Sequence, residues 1–321
     1  MKQRIVVLGA SGFIGRRVIA ALAASDWAMP VAAMHRSQAA LPPGVERISI
    51  NATVESELAQ ALKGATGVVN CVTGSYETIV AGARTLFDIA SHTPATLRVI
   101  HMSSMAVYGS ATGDIDETAP LRGDLGPYSA AKIETEKFAA RGGNIVLLRP
   151  GIVYGPESPL WCELIGRLLM ARRIGDLGLA GDGICNLVHV DDVAKAALLA
   201  LQAPGIEGQA FNLGMPQAPT WNDYFQRYAK ALGAVPVRRI GHTRLMLELK
   251  ALGPALKVAA IAAHPVGLSP PVPIRPWLLD LCRHAIRLRV SKAENVLGMK
   301  WIPLDDGLRE VAAWFRAKIA A

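Results

Sequence analysis

A tyrosine and a lysine stand four residues apart in Tyr128-Ser129-Ala130-Ala131-Lys132. On a helix that spacing puts both on one face. A phenol with an ordinary pKa near 10 is a poor proton carrier at neutral pH. An ammonium beside it favours the phenolate and pulls that pKa down. The pair therefore predicts acid–base chemistry at a substrate oxygen, with Lys132 lowering the pKa of Tyr128. Upstream, Val99–Gly109 (VIHMSSMAVYG) reads as a strand running into two serines, Ser103 and Ser104. Such a strand delivers a hydroxyl to the carboxyl edge of a sheet, where open α/β proteins bind ligands. Capping of the strand end is the alternative role for either serine.

A second constellation opens the chain. The segment IVVLGASGFIGRRVIAALA is a β-branched strand, a glycine-rich turn and a helical pattern. Gly9 permits the tight turn, Gly12 lets the backbone approach a pyrophosphate, and Gly15 allows close helix–strand packing. The helix N-terminus supplies unpaired N–H groups and the positive end of a dipole. Ser11, Phe13 and Ile14 complete the expected contact set around this turn. At the end of the second strand, dinucleotide sites that select a ribose 2′-hydroxyl carry an acid. Here the residues are Met34-His35-Arg36-Ser37, with no carboxylate. Arg36 could pair with a 2′-phosphate, so NADP is expected ahead of NAD. Asn51, after the third strand, stands where a side chain contacting adenine is expected.

These groups need a scaffold, and the first 150 residues alternate short apolar runs with helical patterns. That is the signature of a parallel sheet covered by helices. Strands are expected at Arg4–Leu8, Val31–Met34, Val45–Ile48, Gly67–Cys71, Arg98–Ser103 and Asn144–Arg149, with a last one at Gln209–Leu213. Helices are expected at Phe13–Ala24, Val54–Leu62, Thr78–Ala90, Tyr128–Ala140 and Val193–Leu201. The fold class is α/β, a Rossmann-type doubly wound parallel sheet with a smaller, mostly helical C-terminal substrate lobe. Residues 1–155 with about 185–214 would form the dinucleotide-binding domain. Residues 156–184 with 215–321 would form the substrate lobe. Its Ser269–Pro276 stretch (SPPVPIRP) reads as an extended connector.

Taken together, GASGFIG, SSMAVYG, YSAAK, LLRPGIVYGP and NLVHVDDVA resemble, in order and spacing, the extended short-chain dehydrogenase/reductases. This is the family of NAD-dependent sugar epimerases and dehydratases. The resemblance runs from Lys2 to about Gly214, and the tail SKAENVLGMKWIPLDDGLREVAAWF is similar to the family's C-terminal end. It implies Tyr128 as acid/base, Lys132 as its partner and contact to the nicotinamide ribose, and Ser104 as the hydroxyl on the substrate oxygen. Ser104 is preferred because it stands three residues before Val107-Tyr108-Gly109. The Leu148–Pro156 stretch would wrap nicotinamide and substrate, with Pro150 and Val153 on the cofactor. His189–Asp192 would bridge the sheet to the second lobe. Pairing through two sheet-flanking helices implies a homodimer.

Three departures from the family pattern matter. Dehydratases carry an Asp-Glu pair after the catalytic hydroxyl, and Met105-Ala106 stand there. Nucleotide-sugar epimerases place an arginine four residues before the histidine of the HV(D) strand, and Cys185 occupies that position. Arg172, Arg173 or the C-terminal basic cluster would have to replace that diphosphate anchor. The third departure is His35-Arg36.

Bulk properties narrow the rest. The chain has 321 residues and a net charge of +8. Pro236–Lys300 holds 11 Lys/Arg against 3 Asp/Glu, which accounts for the whole surplus. This basic stretch could steer an anionic substrate or touch an acidic partner or a membrane surface; solvated helix faces are the plainer reading. The basic, apolar Arg244–Val290 region could shape a pocket for a lipid-linked substrate or form the wall of the lobe. No aromatic-interleaved basic motif points to nucleic acid. Cys71, Cys162, Cys185 and Cys282 lack CxxC spacing and read as small packing residues, with neither metal site nor disulfide framework. His189, Asp191 and Asp192 read as a strand end followed by an aspartate helix cap, in preference to a metal cluster. Leu245–Ala263 is broken by Glu248, Lys250, Pro254 and Lys257, so no transmembrane segment is expected. With no secretory signal at the start, the expected location is cytoplasmic.

The reading that follows is an NAD(P)-dependent oxidoreductase acting on a carbonyl or secondary alcohol carbon of a small molecule, anionic or apolar. Two alternatives stay open. One is a sugar or nucleotide-sugar epimerase. The other is a dinucleotide-binding sensor without chemistry, against which the intact Ser104, Tyr128 and Lys132 set argues.

Overall fold

The computed structural model describes residues 2–35, 37–92, 97–248, 274 and 276–320. Arg36 and most of Ser269–Pro276 lie outside the described residues. Contacts divide the chain into two units, one comprising Met1–Val153, Val188–Pro216 and Leu288–Trp301, the other Tyr154–Leu187, Gln217–Arg287 and Ile302–Ala321. Leu288–Trp301 therefore groups with the N-terminal unit and not with the rest of the C-terminal chain.

The first unit is built on seven parallel strands: β1 (Gln3–Leu8), β2 (Ala28–Met34), β3 (Glu46–Ser49), β4 (Gly67–Asn70), β5 (Arg98–Met102), β6 (Ile145–Pro150) and β7 (Ala210–Leu213). Their order across the sheet is β7-β6-β5-β4-β1-β2-β3. The order reverses at β1, which lies between β4 and β2, and such a reversal leaves a crevice beyond the carboxyl ends of the strands. Central strands read as continuous apolar runs because both faces are covered. In β1, Ile5 and Val7 enter one buried cluster while Val6 and Leu8 enter the other. Helix α1 (Phe13–Ala23) and the helix Val190–Gln202 cover the first face. Helices α2 (Glu55–Ala61), α3 (Tyr76–His92) and α4 (Pro127–Ala139) cover the second.

Two local expectations are corrected. β2 begins at Ala28, three residues before Val31, and runs through Pro30. Its ladder with β3 starts only at Val31↔Glu46, so the missing Pro30 N–H costs no bond on that side. The helix after the VHV strand begins at Val190, which makes His189 its N-cap. The His189 ring accepts from the Asp191 N–H at 3.3 Å, and both aspartates sit inside the first turn, where they favour the helix dipole.

The second unit centres on the helix Trp221–Leu232, started by a Thr220/Asp223 capping box and stopped by Gly233 in the left-handed region. Trp221, Tyr224, Phe225 and Tyr228 on this helix are buried, and Trp161 lies against Trp221. The Tyr228 hydroxyl donates to the Cys162 carbonyl at 2.9 Å. Among the described residues no helix is long and apolar enough to cross a membrane.

Candidate active site

At the carboxyl end of β1 the chain turns at Gly9, whose φ of +72° suits glycine. A β-carbon there would lie 2.9 Å from the carbonyl of Cys71 on the neighbouring β4 connection. On Gly15, one turn into α1, a β-carbon would fall 2.3 Å from the Gly9 carbonyl oxygen. The helix thus sits on the turn at a distance no larger residue permits. Gly12 is the α1 N-cap and offers no side-chain acceptor, leaving the first-turn N–H groups for another acceptor. The cleft over this turn measures about 290 Å³. Gly9, Ser11, Gly12 and Asn51 line it, together with Met34, His35, Thr53, Cys71, Val72 and Thr73, among others. The Asn51 side-chain oxygen accepts from the N–H and hydroxyl of Thr53, at 3.1 and 2.8 Å, which fixes the Asn51 side chain in the cleft lining. A glycine cradle with an uncapped helix start fits the pyrophosphate of a dinucleotide.

Val72 and Thr73 are not singled out by the sequence, where Cys71 reads only as a packing residue. They line the cleft because β2 and β4 flank β1, and strand order is not written in local pattern. Cys71 packs, partly buried, against the first core cluster, as read from the sequence, and it also borders the cleft. Desolvation pushes its thiol up to about 12, against the opposing charge of Lys132. It is a thiol, not a thiolate. Cys162, Cys185 and Cys282 are free and buried, as packing residues are.

The second constellation lies on α4 and the end of β5. Lys132 is 2% exposed and its Nζ donates to the Met102 carbonyl at 2.6 Å. Its ammonium stands 5.8 Å from the Tyr128 ring centroid. Burial brings its pKa down to about 8, opposed by Cys71 and Glu136. The Tyr128 side chain is partly exposed, but its pKa is raised, because desolvation of the hydroxyl outweighs the hydrogen bond to Ser104 that lowers it. This corrects the expectation that Lys132 depresses Tyr128. The ammonium is engaged by a main-chain carbonyl, and Tyr128 is a neutral phenol at neutral pH.

The two serines separate by partner. Ser104 caps the turn Met105–Tyr108, accepting from Ala106 N–H at 3.2 Å, and also faces the Tyr128 hydroxyl. Ser103 donates at 2.5 Å to Glu136, which is 4% exposed. Glu136 in turn holds Arg149 bidentately, at 3.0 and 2.6 Å. Arg149 donates to the Tyr108 hydroxyl at 2.8 Å, and that hydroxyl donates to Asn212 at 2.7 Å. This buried chain ties α4 to β5, β6 and β7. Sequence reading missed it, although Glu136 lies four residues beyond Lys132, on the buried face of α4, where an acid needs a partner.

A second chain fixes Lys132 from behind. His101 is buried and its pKa lies well below the ordinary value, through desolvation and the charge of Lys132. Its Nδ1 meets the Asn70 amide and its Nε2 meets the Thr135 hydroxyl, both at 3.1 Å. The Thr135 hydroxyl donates to the Lys132 carbonyl at 2.8 Å. Neutral His101 therefore accepts at Nδ1 and donates at Nε2. Asn70 also accepts from the Val72 N–H at 3.1 Å, at the edge of the cleft.

Residues 5–214, about two thirds of the chain, match the family described as NAD dependent epimerase/dehydratase. The chain belongs to that family. An epimerase family protein of the Arabidopsis thaliana chloroplast is 28% identical over 226 residues, which are 64% of this chain and 65% of that one. The chain thus spans just under two thirds of this relative's length. The 2′-dehydrokanamycin reductase of Streptomyces kanamyceticus is 26% identical over 253 residues, 72% of this chain and 67% of the other. Among solved structures, a dTDP-glucose 4,6-dehydratase of Bacillus anthracis, crystallised with NAD, superposes with a TM-score of 0.75. It covers 99% of this chain and 98% of its own at 18% identity, a likeness of fold.

Within this family frame, Gly9, Ser11, Gly12 and Asn51 share one cleft, and Phe13, Ile14 and Gly15 form the helix start behind it. Ser104, Tyr128 and Lys132 share the end of β5 and the first turns of α4. Pro150 ends β6, with Val153 just beyond it, and neither lines the 290 Å³ cleft.

Proposed function

We propose that this epimerase/dehydratase family member is a net carbonyl reductase, with Tyr128 as proton donor. The observation that carries this reading is the grouping of Ser104, Tyr128 and Lys132 at the end of β5 and the first turns of α4, with the Lys132 ammonium 5.8 Å from the Tyr128 ring centroid. A group that must deliver a proton to a developing alkoxide is best held in its acid form. The nicotinamide of the bound dinucleotide supplies the two-electron reduction.

The roles of the side chains follow. Gly9, Gly12 and the N–H groups opening α1 hold the pyrophosphate. Asn51 borders the adenine end. Lys132 holds the nicotinamide ribose, and its charge stabilises oxyanion character near Tyr128. Ser104, fixed by its own turn, donates to the substrate oxygen, and Tyr128 passes its proton to that oxygen as negative charge builds. His101, Asn70 and Thr135 hold the Lys132 backbone in place. NADP is the preferred cofactor, because no acid follows β2 and Arg36 stands there in sequence. The substrate is a small anionic or apolar carbonyl compound, in a chain that works as a homodimer.

Epimerisation is the second reading, since relatives of both kinds exist. Met105-Ala106 and Cys185 weaken dehydration and diphosphate binding respectively. The test is oxidation of NADPH and NADH by a panel of carbonyl compounds. Net oxidation that is lost in Tyr128→Phe, with cofactor affinity kept, supports the proposal. Turnover of that variant at the wild-type rate would remove Tyr128 from the mechanism.

A further inference from the structure

A 400 Å³ cleft on the second unit has a buried apolar floor of Leu177, Ile240 and Leu245 and a charged rim carrying Arg239 and Arg283. Beside it Leu179 stands 89% exposed at the tip of the short turn Gly178–Gly181. That turn is braced rigidly from below. The Asn222 side chain accepts from Leu177 N–H at 2.9 Å and donates to the Gly178 carbonyl and to Asp182, each at 2.9 Å. Asp176 accepts from Gly178 N–H at 2.8 Å. A large apolar side chain is thus held out in water by a structure that prevents its collapse.

The surroundings repeat this combination. The 176 segment is bridged to the Arg238–Ile240 segment by backbone bonds of 3.1 and 2.8 Å. Exposed Met170 and Leu247 lie at the ends of helices joined by a bond of 3.3 Å from Arg244 to the Arg172 carbonyl. Arg239 pairs with Asp176. Arg172, Arg238, Arg244 and Arg283 have no carboxylate partner among the described residues.

From this juxtaposition we propose that the second unit docks on an anionic phospholipid bilayer, inserting Leu179 and laying the arginines in the phosphate layer. Charge complementarity selects the occupant. The surface sets unpaired arginines beside an exposed leucine, and a phospholipid leaflet offers both phosphates and apolar volume. Arginine stems cover apolar surface while their guanidinium groups stay at the phosphates. An acidic protein would supply the charge but would have to provide its own receptor for a single protruding leucine.

The test is sedimentation of the full chain with phosphatidylcholine vesicles, with and without roughly 30% phosphatidylglycerol. Binding is expected only to the anionic vesicles and should be lost near 1 M salt, where charges are screened beyond about 3 Å. Arg238→Gln with Arg283→Gln should weaken it about 25-fold, roughly fivefold for each arginine. Leu179→Asp should weaken it about tenfold. All three positions are exposed, so the variants should melt as the wild type does, and circular dichroism verifies this. The proposal is overturned if the protein stays in the supernatant, binds neutral vesicles equally, or is indifferent to both variants. It is also overturned if polyglutamate is bound instead of vesicles, or if Leu179→Asp converts a dimer in solution to a monomer. No outcome depends on the reductase reading.

Discussion

At the scale of single residues, the site is defined by proton positions. Tyr128 holds its proton and Lys132, with a pKa near 8, is the group that titrates in the working range. Replacing Tyr128 by Phe removes the proposed proton donor and leaves the cleft lining unchanged. Turnover should fall by about 10²–10⁴ with cofactor affinity unchanged, read by initial rates and fluorescence titration. The rate should also fall as pH rises through about 8, when Lys132 loses its charge. Lys132→Arg should move that limb upward, and a profile flat to pH 10 would contradict the role. The sign for stability is the opposite. The folded pKa lies below that of the free lysine, so the unfolded chain binds more protons between about 8 and 10.5. Relative to Lys132→Met, the wild type should therefore gain about 3 kcal/mol across that window, measured by urea unfolding.

At the scale of elements, the close approach of α1 to β1 and the buried polar chain through α4 do most to place these groups. A Gly15→Ala β-carbon meets the Gly9 carbonyl oxygen at 2.3 Å, so α1 must shift outward. About 1–3 kcal/mol of stability should be lost, together with dinucleotide affinity. Cofactor binding at the wild-type level in a destabilised protein would separate the two effects and deny α1 its anion-binding role. Glu136→Ala leaves the Arg149 guanidinium buried without its carboxylate. A loss of about 3–5 kcal/mol is expected in denaturant titration. These elements were legible in unequal measure. The strand–turn–helix around Gly9 and the Tyr128–Lys132 helix stand out because both obey short-range spacing rules. Glu136, Arg149, Tyr108 and Asn212 are 13 to 104 positions apart along their bonds, so no local window contains the network. The start of β2 was misplaced because Pro30 argues against a strand, and only the staggered edge of β3 explains its tolerance.

At the scale of the whole chain, alternation of strand and helix patterns was enough to indicate a doubly wound parallel sheet, and the seven strands lie in a single parallel sheet. The strand order was not legible, and with it the contribution of Cys71–Thr73 to the cleft. Nor was the grouping of Leu288–Trp301 with the first unit, since that rests on contacts with β7 and on the bond from Lys292 to the Ala210 carbonyl at 2.9 Å. The charge asymmetry was visible in composition, but the braced Leu179 that gives it meaning depends on Asn222, some 40 residues away in sequence. On the proposed reading the dinucleotide binds the folded chain alone, so saturating cofactor should raise stability by roughly 2.7 kcal/mol at a hundredfold excess over Kd. A larger gain with NADPH than with NADH is the outcome expected from the absence of an acid after β2.

The most direct test of a net reductase is the identity of the nucleotide carried by freshly purified, then denatured, protein, followed by titration of the empty protein with NADPH and NADH. The account predicts little retained nucleotide and tighter binding of NADPH, as exchange after each reduction requires. Stoichiometric NAD that survives purification would contradict it, because a reaction that recycles its hydride internally keeps its cofactor.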